Sequence, residues 1–413
     1  MSNSLLYWIC CQLGAREHYS IPRALYQSQQ INCLITDTWI TNKSLFYYLA
    51  QGRLLNLRER FHPDLSPASV YSFTNSLISF ELQQKVKQTS GWQKIIARNE
   101  WFQERTVDLL KQITPKLAKL NQQPILFAYS YAALDILRYA KSQGWRTILG
   151  QIDPGIIEEN IVREEHSKHK NCKSNWQPAP PQYWKNWQLE CELADKIVVN
   201  SSWSNQALQQ VCIPEKKIEV IPLAYELGQK FTNDVRTYPQ SFSKKRPLKV
   251  LFLGQIIFRK GIASLLEAAK LLENKPIEFW LVGSLGITQP ELAEYKQIKW
   301  IGSVPRSATA SYYREADVFL FPTLSDGFGL TQLEAQAWKL PIIASRFCGE
   351  VVKEQVNGLL LPEVTPEAIA EALNFCLDHP QHLQTFSDNS IHPSEYNLLK
   401  LQHHLQELAY AII

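Results

Sequence analysis

Residues 317–345, DVFLFPTLSDGFGLTQLEAQAWKLPIIAS, restrict the fold more than any other stretch of the chain. Val318 to Phe321 is a short apolar run, the pattern of a strand buried on both faces. Gly327 and Gly329 open a turn, Leu330 to Lys339 suits a helix, and Pro341 closes it. Asp326 then precedes the helix and Glu334 sits about one turn inside it. The first amides of such a helix have no partner in their own backbone, so they are free to bind an anion that also feels the helix dipole.

The surrounding sequence repeats the theme. Strand signals at Lys249 to Leu253, Ile277 to Val282 and Lys299 to Ile301 alternate with helix signals at Ile262 to Leu272 and Ala308 to Arg314. That order predicts a parallel, doubly wound sheet. Ile262, Leu265, Leu266, Ala269 and Leu272 share one helical face, which predicts packing against the sheet. A second glycine turn, GQIIFRKG at 254–261, places Arg259 and Lys260 behind the first of these strands.

The first half carries the same signals less regularly. Strands are predicted at Leu5 to Cys10, Asn32 to Ile35, Ile125 to Ala128, Thr147 to Leu149, Lys196 to Val199 and Ile218 to Ile221. Helices are predicted at Pro22 to Gln27, Ala132 to Gln143 and Trp203 to Val211. The apolar run Leu5 to Leu13 lacks a basic leader and meets a polar stretch, so it reads as the first buried strand, not a signal peptide. Residues 224–247, with Gly, Pro, Ser and a KKR run, read as an exposed linker between domains at 1–223 and 248–390. The leucines at 398, 401, 405 and 408 predict a last helix within 391–413, packing back on the first domain.

Composition narrows the function classes. With 413 residues, 45% hydrophobic and 20% charged, the chain has material for two full cores, and no apolar run approaches the roughly 20 residues of a membrane-spanning helix. Eight scattered cysteines without a CxxC pair suit a reducing, cytoplasmic setting. The net charge of +4 is uneven, since residues 40–123 hold twelve Lys or Arg against six Asp or Glu. Trp39, Tyr47, Tyr48, Tyr71, Phe73, Trp92 and Trp101 interleave with these cations in a segment, about 38–123, that reads as an insert. Its aromatics suit either a helical core or stacking on sugar rings, and its charge suits an anionic acceptor or a membrane surface contacted peripherally. Without a reader motif, nucleic acid is not expected.

Taken together, GQIIFRKG at 254–261, YREADVFLFPTLSDGFGLTQLEAQA at 313–337 and GEVVKEQVNGLLL at 349–361 resemble the glycosyltransferase family 4 enzymes of GT-B type. ELADKIVVNSSWSNQAL at 192–208 and VIPLA at 220–224 are weaker matches. The resemblance implies two Rossmann-like domains facing a cleft and a retaining transfer of sugar from a nucleoside diphosphate, a UDP- or GDP-sugar, onto a carbohydrate or related acceptor. No cofactor and no metal are implied. By position, Lys260 would contact the diphosphate, with Gln255 and Arg259 beside it. Asp326 would hold donor-sugar hydroxyls, Glu334 the ribose, and Gly327, Phe328, Gly329 and Leu330 would present amides, while Gly14 would allow close approach from the first domain. The chain departs from the family at Asp326, where Glu is usual, and at Gln255, where Arg is usual.

Other readings of the same residues stay open. Lys260 also suits a solvated loop, Glu334 a helix surface, Asp326 an N-cap, and Arg16, Glu17 and His18 a capping turn. The first-domain strand end that carries a histidine in many family members reads LGQIDPG here, leaving Gln151 or Asp153 to orient a hydroxyl, or an Asp-Pro turn without chemistry. His166, His169 and Cys172 with Glu164 and Glu165 suit a charged loop better than a metal site, which needs a fourth ligand. The rival functions are a phosphorylase or epimerase of the same fold, and a degenerate member that only binds a nucleotide sugar or a partner protein.

Overall fold

A computed structural model describes residues 7–41, 60–120, 124–169, 174–226, 235–288, 295–391 and 393–412. The first domain is built on a sheet of seven parallel strands: β1 (Trp8–Gln12), β2 (Ile31–Thr36), β3 (Val70–Ser72), β4 (Ile125–Tyr129), β5 (Arg146–Gly150), β6 (Lys196–Val199) and β7 (Ile218–Val220). Their spatial order is β3-β2-β1-β4-β5-β6-β7. The second domain has six parallel strands: β8 (Leu248–Leu253), β9 (Ile277–Val282), β10 (Ile298–Gly302), β11 (Val318–Phe321), β12 (Ile342–Ser345) and β13 (Gly358–Leu361), ordered β10-β9-β8-β11-β12-β13. Both sheets reverse direction beside their first strand, between β1 and β4 and between β8 and β11. Such switch points open a crevice at the carboxyl ends of the strands.

The crossover helices are α1 (Ser20–Gln27), α2 (Thr74–Val86), α3 (Gly91–Leu117), α4 (Leu134–Ser142), α5 (Ile156–Lys168), α6 (Pro181–Leu193) and α7 (Ser202–Gln210) in the first domain. The second domain holds α8 (Ile262–Leu271), α9 (Thr309–Glu315), α10 (Leu330–Ala337), α11 (Pro366–Asp378) and α12 (Pro380–Asp388), and α13 (Leu398–Ala411) ends the chain. Each sheet is sandwiched between two apolar layers. In the second domain Leu265, Ala268, Ala269 and Leu272 of the α8 segment bury against Val250, Phe279 and Leu320, while Leu333 and Ala335 of α10 bury on the other face with Phe319 and Ile342. The moderately apolar faces of these helices find their solvent-excluded partner only in the sheet, which drives the layered arrangement.

The structure adjusts two expectations. The first strand runs to Gln12, because Cys11 and Gln12 continue the parallel pairing with Ile35 and Thr36 of β2; Leu5 and Leu6 lie outside the described residues. The segment read as an insert supplies the edge strand β3 and the helices α2 and α3, so it completes the first sheet and covers one face of it. Most of its described aromatics are core: Trp101 stacks on Phe80 at 5.3 Å and meets Phe73 edge-on, and Trp39 packs between Tyr19 and Phe61. Tyr47 and Tyr48 lie outside the described residues. Helix α13 crosses back, burying Leu401, Leu405 and Leu408 against Trp8, Ile21 and Leu25 of the first domain.

Candidate active site

The two switch points meet face to face. Gly327, in the turn after β11, approaches the first domain so closely that a Cβ there would lie 2.3 Å from the Ile152 carbonyl oxygen, behind β5. Arg259 and Lys260 reach the same turn from β8. Gly261, at φ +73°, makes this path available: it lets the chain pass within 1.8 Å, measured from a would-be Cβ, of the Pro322 carbonyl. The Leu324 amide donates to the Arg259 carbonyl at 2.8 Å, tying the two loops together.

Asp326 is the centre of this cluster. Lys260 Nζ donates to Asp326 Oδ2, the Arg259 guanidinium lies 3.4 Å from the same oxygen, and the Phe328 amide donates to Oδ1 at 3.3 Å. Burial alone would raise the Asp326 pKa, but Lys260 and Arg259 outweigh it and bring it down to about 2. Arg259 also spans the domains: its Nε lies 3.6 Å from Glu158 Oε1 on α5, and its Nη1 donates to the Ser325 carbonyl at 2.9 Å. Glu158 moves the other way, up to about 8, through burial first and then the charges of Asp153 and Asp326, against the pull of Arg259. Its Oε2 is buried without a hydrogen-bond partner among the described residues.

Across the cleft, Asp153 is held by the Tyr131 hydroxyl at 2.5 Å and the Gly155 amide at 2.9 Å. Gln151, buried at the end of β5, donates through Nε2 to the Asp153 carbonyl and the Tyr131 hydroxyl, and accepts from Trp187 Nε1 at 2.9 Å. Tyr131 itself sits at φ +74°, fixed by the buried Glu190 carboxylate, which accepts the amides of Tyr131, Ala133 and Leu134. Asp153, Tyr131, Arg16 and Tyr183 line a cavity of about 150 Å³ together with Asn99 and Ile95 of α3. Gly14, at φ +88°, donates its amide to the buried Asp37, which also binds Arg98 at 2.7 Å; a Cβ on Gly14 would lie 2.7 Å from Arg60.

Glu334 lies deeper along α10. One oxygen accepts from Tyr313 at 2.8 Å and the other lies 3.9 Å from Arg306, and burial raises its pKa. Arg306 in turn contacts His18 Nε2 at 2.5 Å, joining the domains on this side. His18 is part of a run, Glu17 to Tyr19, with three successive left-handed residues directly after the β1 turn, a costly conformation of the kind concentrated at functional clefts. Burial, with Arg306 next, lowers the His18 pKa to about 4.

Of the residues singled out in the sequence, Lys260, Arg259, Asp326, Gly327 and Phe328 form one contact network, with Asp153 opposite. Gly329 caps α10 at φ +87°, and Leu330 starts that helix. Gln255 is exposed at the edge of its turn. The second histidine cluster does something else: His166 stacks on Trp176 and packs edge-on to Phe258 of the second domain, and His169 lies 3.2 Å from Glu165. Cys172 lies outside the described residues. Glu158, Tyr131, Arg306 and Asp37 escaped the sequence reading because each acts through a partner more than 20 residues away. The only local hint was the Glu158–Glu159 pair opening a helix straight after the Asp-Pro turn.

The fold matches known structures over nearly the whole chain. Solved structures of Anabaena Alr3699/HepE in complex with UDP-glucose and of sucrose-phosphate synthase from Thermosynechococcus elongatus superpose with TM-scores of 0.60 and 0.64, at 16% and 17% identity. Each pairing covers 98% of this chain, with 100% of the first structure and 98% of the second. The fold is GT-B. Residues 247–379, which hold Lys260, Asp326 and Glu334, match the family described as Glycosyl transferases group 1. Among curated relatives, the amylovoran biosynthesis glycosyltransferase AmsK of Erwinia amylovora is 26% identical over 288 residues, 64% of each chain. The matches to the first curated relatives span 58%, 64% and 50% of those proteins' lengths.

Proposed function

We propose that this GT-B protein is a retaining glycosyltransferase that moves a sugar from a UDP-sugar to a hydroxyl of a carbohydrate or related acceptor. The observation that carries the reading is the Lys260–Asp326–Arg259 cluster at the second switch point, facing Asp153 across the cleft. With burial raising the Glu158 pKa, the two cations are opposed at the turn chiefly by Asp326, and an incoming diphosphate completes their neutralisation. Lys260 then stabilises the charge that grows on the leaving phosphate, while Asp326, relieved of part of its ion pair, accepts hydrogen bonds from donor-sugar hydroxyls. Glu334 accepts from the ribose. Attack comes from the same face as departure, the leaving phosphate takes the acceptor proton, and no protein nucleophile is required. Asp153, held by Tyr131 and Gln151, orients the acceptor hydroxyl from the first domain.

The UDP choice rests on likeness to the HepE structures, which are described with UDP and with UDP-glucose. The test is release of UDP from UDP-hexoses with simple saccharide acceptors, with NMR of the anomeric proton of the product. Net retention of the donor configuration and a loss of about 100-fold or more in Lys260→Ala are expected. Inverted product overturns the mechanism. Tight UDP-hexose binding without turnover under any acceptor would instead mark a binding protein.

A further inference from the structure

Helix α5 of the first domain grips the Phe258–Lys260 loop of the second at both of its ends. At the far end His166 packs edge-on to Phe258 at 4.6 Å and His169 stacks on the same ring at 5.5 Å. In the first turn Glu158 Oε1 lies 3.6 Å from Arg259 Nε. Arg259 is thereby held on two edges. Its Nη1 faces its own domain, donating to the Ser325 carbonyl at 2.9 Å and lying 3.4 Å from Asp326 Oδ2, while Nε faces Glu158 across the cleft.

Three carboxyls, those of Glu158, Asp326 and Asp153, surround this arginine, and they are not equally provided for. Asp326 has Lys260 and the Phe328 amide besides Arg259, and Asp153 has the Tyr131 hydroxyl and the Gly155 amide. Glu158 has the shared arginine and the Ser325 hydroxyl, which itself accepts from Trp203 Nε1 at 3.1 Å. Its Oε2 is buried with no hydrogen-bond partner among the described residues. On its own helix the neighbouring acid Glu159 is engaged by Arg163 at 2.6 Å. A bare buried oxygen costs far less on a neutral acid than on a carboxylate, so of the three carboxyls Glu158 is the one that keeps its proton. The upward shift of its pKa, to about 8, agrees with that geometry.

We infer that Glu158 is a positioning residue of the donor site: from the first domain it holds the Nε edge of Arg259 as an uncharged partner and leaves the guanidinium charge to the donor diphosphate. The inference rests on the reading of the cleft as a nucleotide-sugar site. An ionised Glu158 is a competing anion, so its ionisation and donor binding oppose one another. By linkage, a diphosphate arriving beside Arg259 draws a proton onto Glu158.

The experiment is titration calorimetry of the full chain with UDP-glucose, whose diphosphate does not titrate near neutrality, at pH 6.5 and 8.5 in two buffers of different ionisation enthalpy. The parent is expected to take up more than about half a proton per ligand at pH 8.5 and almost none at pH 6.5, with affinity falling about fourfold between them. Glu158→Gln, neutral at both pH values, is expected to bind at pH 6.5 within about twofold of the parent and to lose both the uptake and the fall. Glu158→Ala frees the Nε edge and is expected to bind about tenfold more weakly at pH 6.5, with Glu158→Ala/Arg259→Ala no weaker than Arg259→Ala alone. If the alanine variants do not fold, the parent and Glu158→Gln still decide the matter. Absence of proton uptake in the parent, uptake unchanged in Glu158→Gln, or additive losses in the double variant overturns the inference and leaves the nucleotide-sugar reading standing. A parent that binds UDP-glucose at neither pH overturns both.

Discussion

At the scale of single residues, one arginine faces two buried acids whose pKa values are shifted in opposite directions. Asp326 is kept charged by Lys260 and Arg259, while Glu158, 3.6 Å from the same arginine, is buried beside other carboxylates and holds its proton to about pH 8. The unfolded chain loses that proton near pH 4.5, so between 4.5 and 8 the native state binds more protons than the unfolded one and stability falls as pH rises, by at most about 1.4 kcal/mol per pH unit for one proton. Glu158→Gln is expected to flatten this slope in urea titrations at pH 5 and pH 8. Equal slopes in parent and variant would show that Glu158 ionises as freely in the fold as outside it. Glu334→Ala, by removing the carboxylate proposed above to accept from the ribose, is expected to weaken UDP binding by about 1.5–3 kcal/mol in calorimetry. Unchanged affinity in the folded variant would take Glu334 out of the nucleotide site. Lys260, Asp326 and Glu334 were legible because strand, glycine turn and helix fix their places locally. Glu158 and Arg306 were not, because their partners come from the other domain and no spacing in the chain encodes that meeting.

At the scale of elements, the glycine turns do the positioning. Gly261 brings the Arg259–Lys260 loop against the Pro322 carbonyl, and any side chain there would collide with backbone as well as adopt a left-handed φ. Gly261→Ala is expected to cost about 2–3 kcal/mol of stability and to reduce nucleotide binding at the same time. Loss of stability with binding intact would mean that the loop recovers its place without the close approach. Helix α13 is a different kind of element, a strap from the end of the chain onto the first domain. Leu405 is fully buried there, and Leu405→Ala is expected to cost about 2–5 kcal/mol in denaturant unfolding. A cost near zero would mean that α13 is not cooperative with the first domain. Long periodic elements such as α8 were readable from sequence to within a residue or two. The edge strand β3 was not, since a run of only three residues, Val70 to Ser72, gives no alternation to read and becomes a strand by pairing with Leu34 to Thr36.

At the scale of the whole molecule, two sheets of like topology set their switch points against one another, and the residues with chemistry gather where they meet. Arg259 to Glu158, Arg306 to His18 and Trp203 Nε1 to Ser325 at 3.1 Å tie the domains around the cleft. The duplicated alternation of strand and helix made this architecture readable in advance, whereas the pairing of particular side chains across the cleft depends on how the domains close. The central claim is that Lys260 and its neighbours hold a nucleoside diphosphate. The most direct test is the shift in melting temperature of the parent and of Lys260→Ala with UDP, GDP and UDP-glucose, because a ligand that binds only the native state stabilises it in proportion to its affinity. A rise with UDP and UDP-glucose in the parent, little rise with GDP, and a much smaller rise in Lys260→Ala are predicted. No rise at saturating UDP, or an equal rise in parent and variant, would contradict the account.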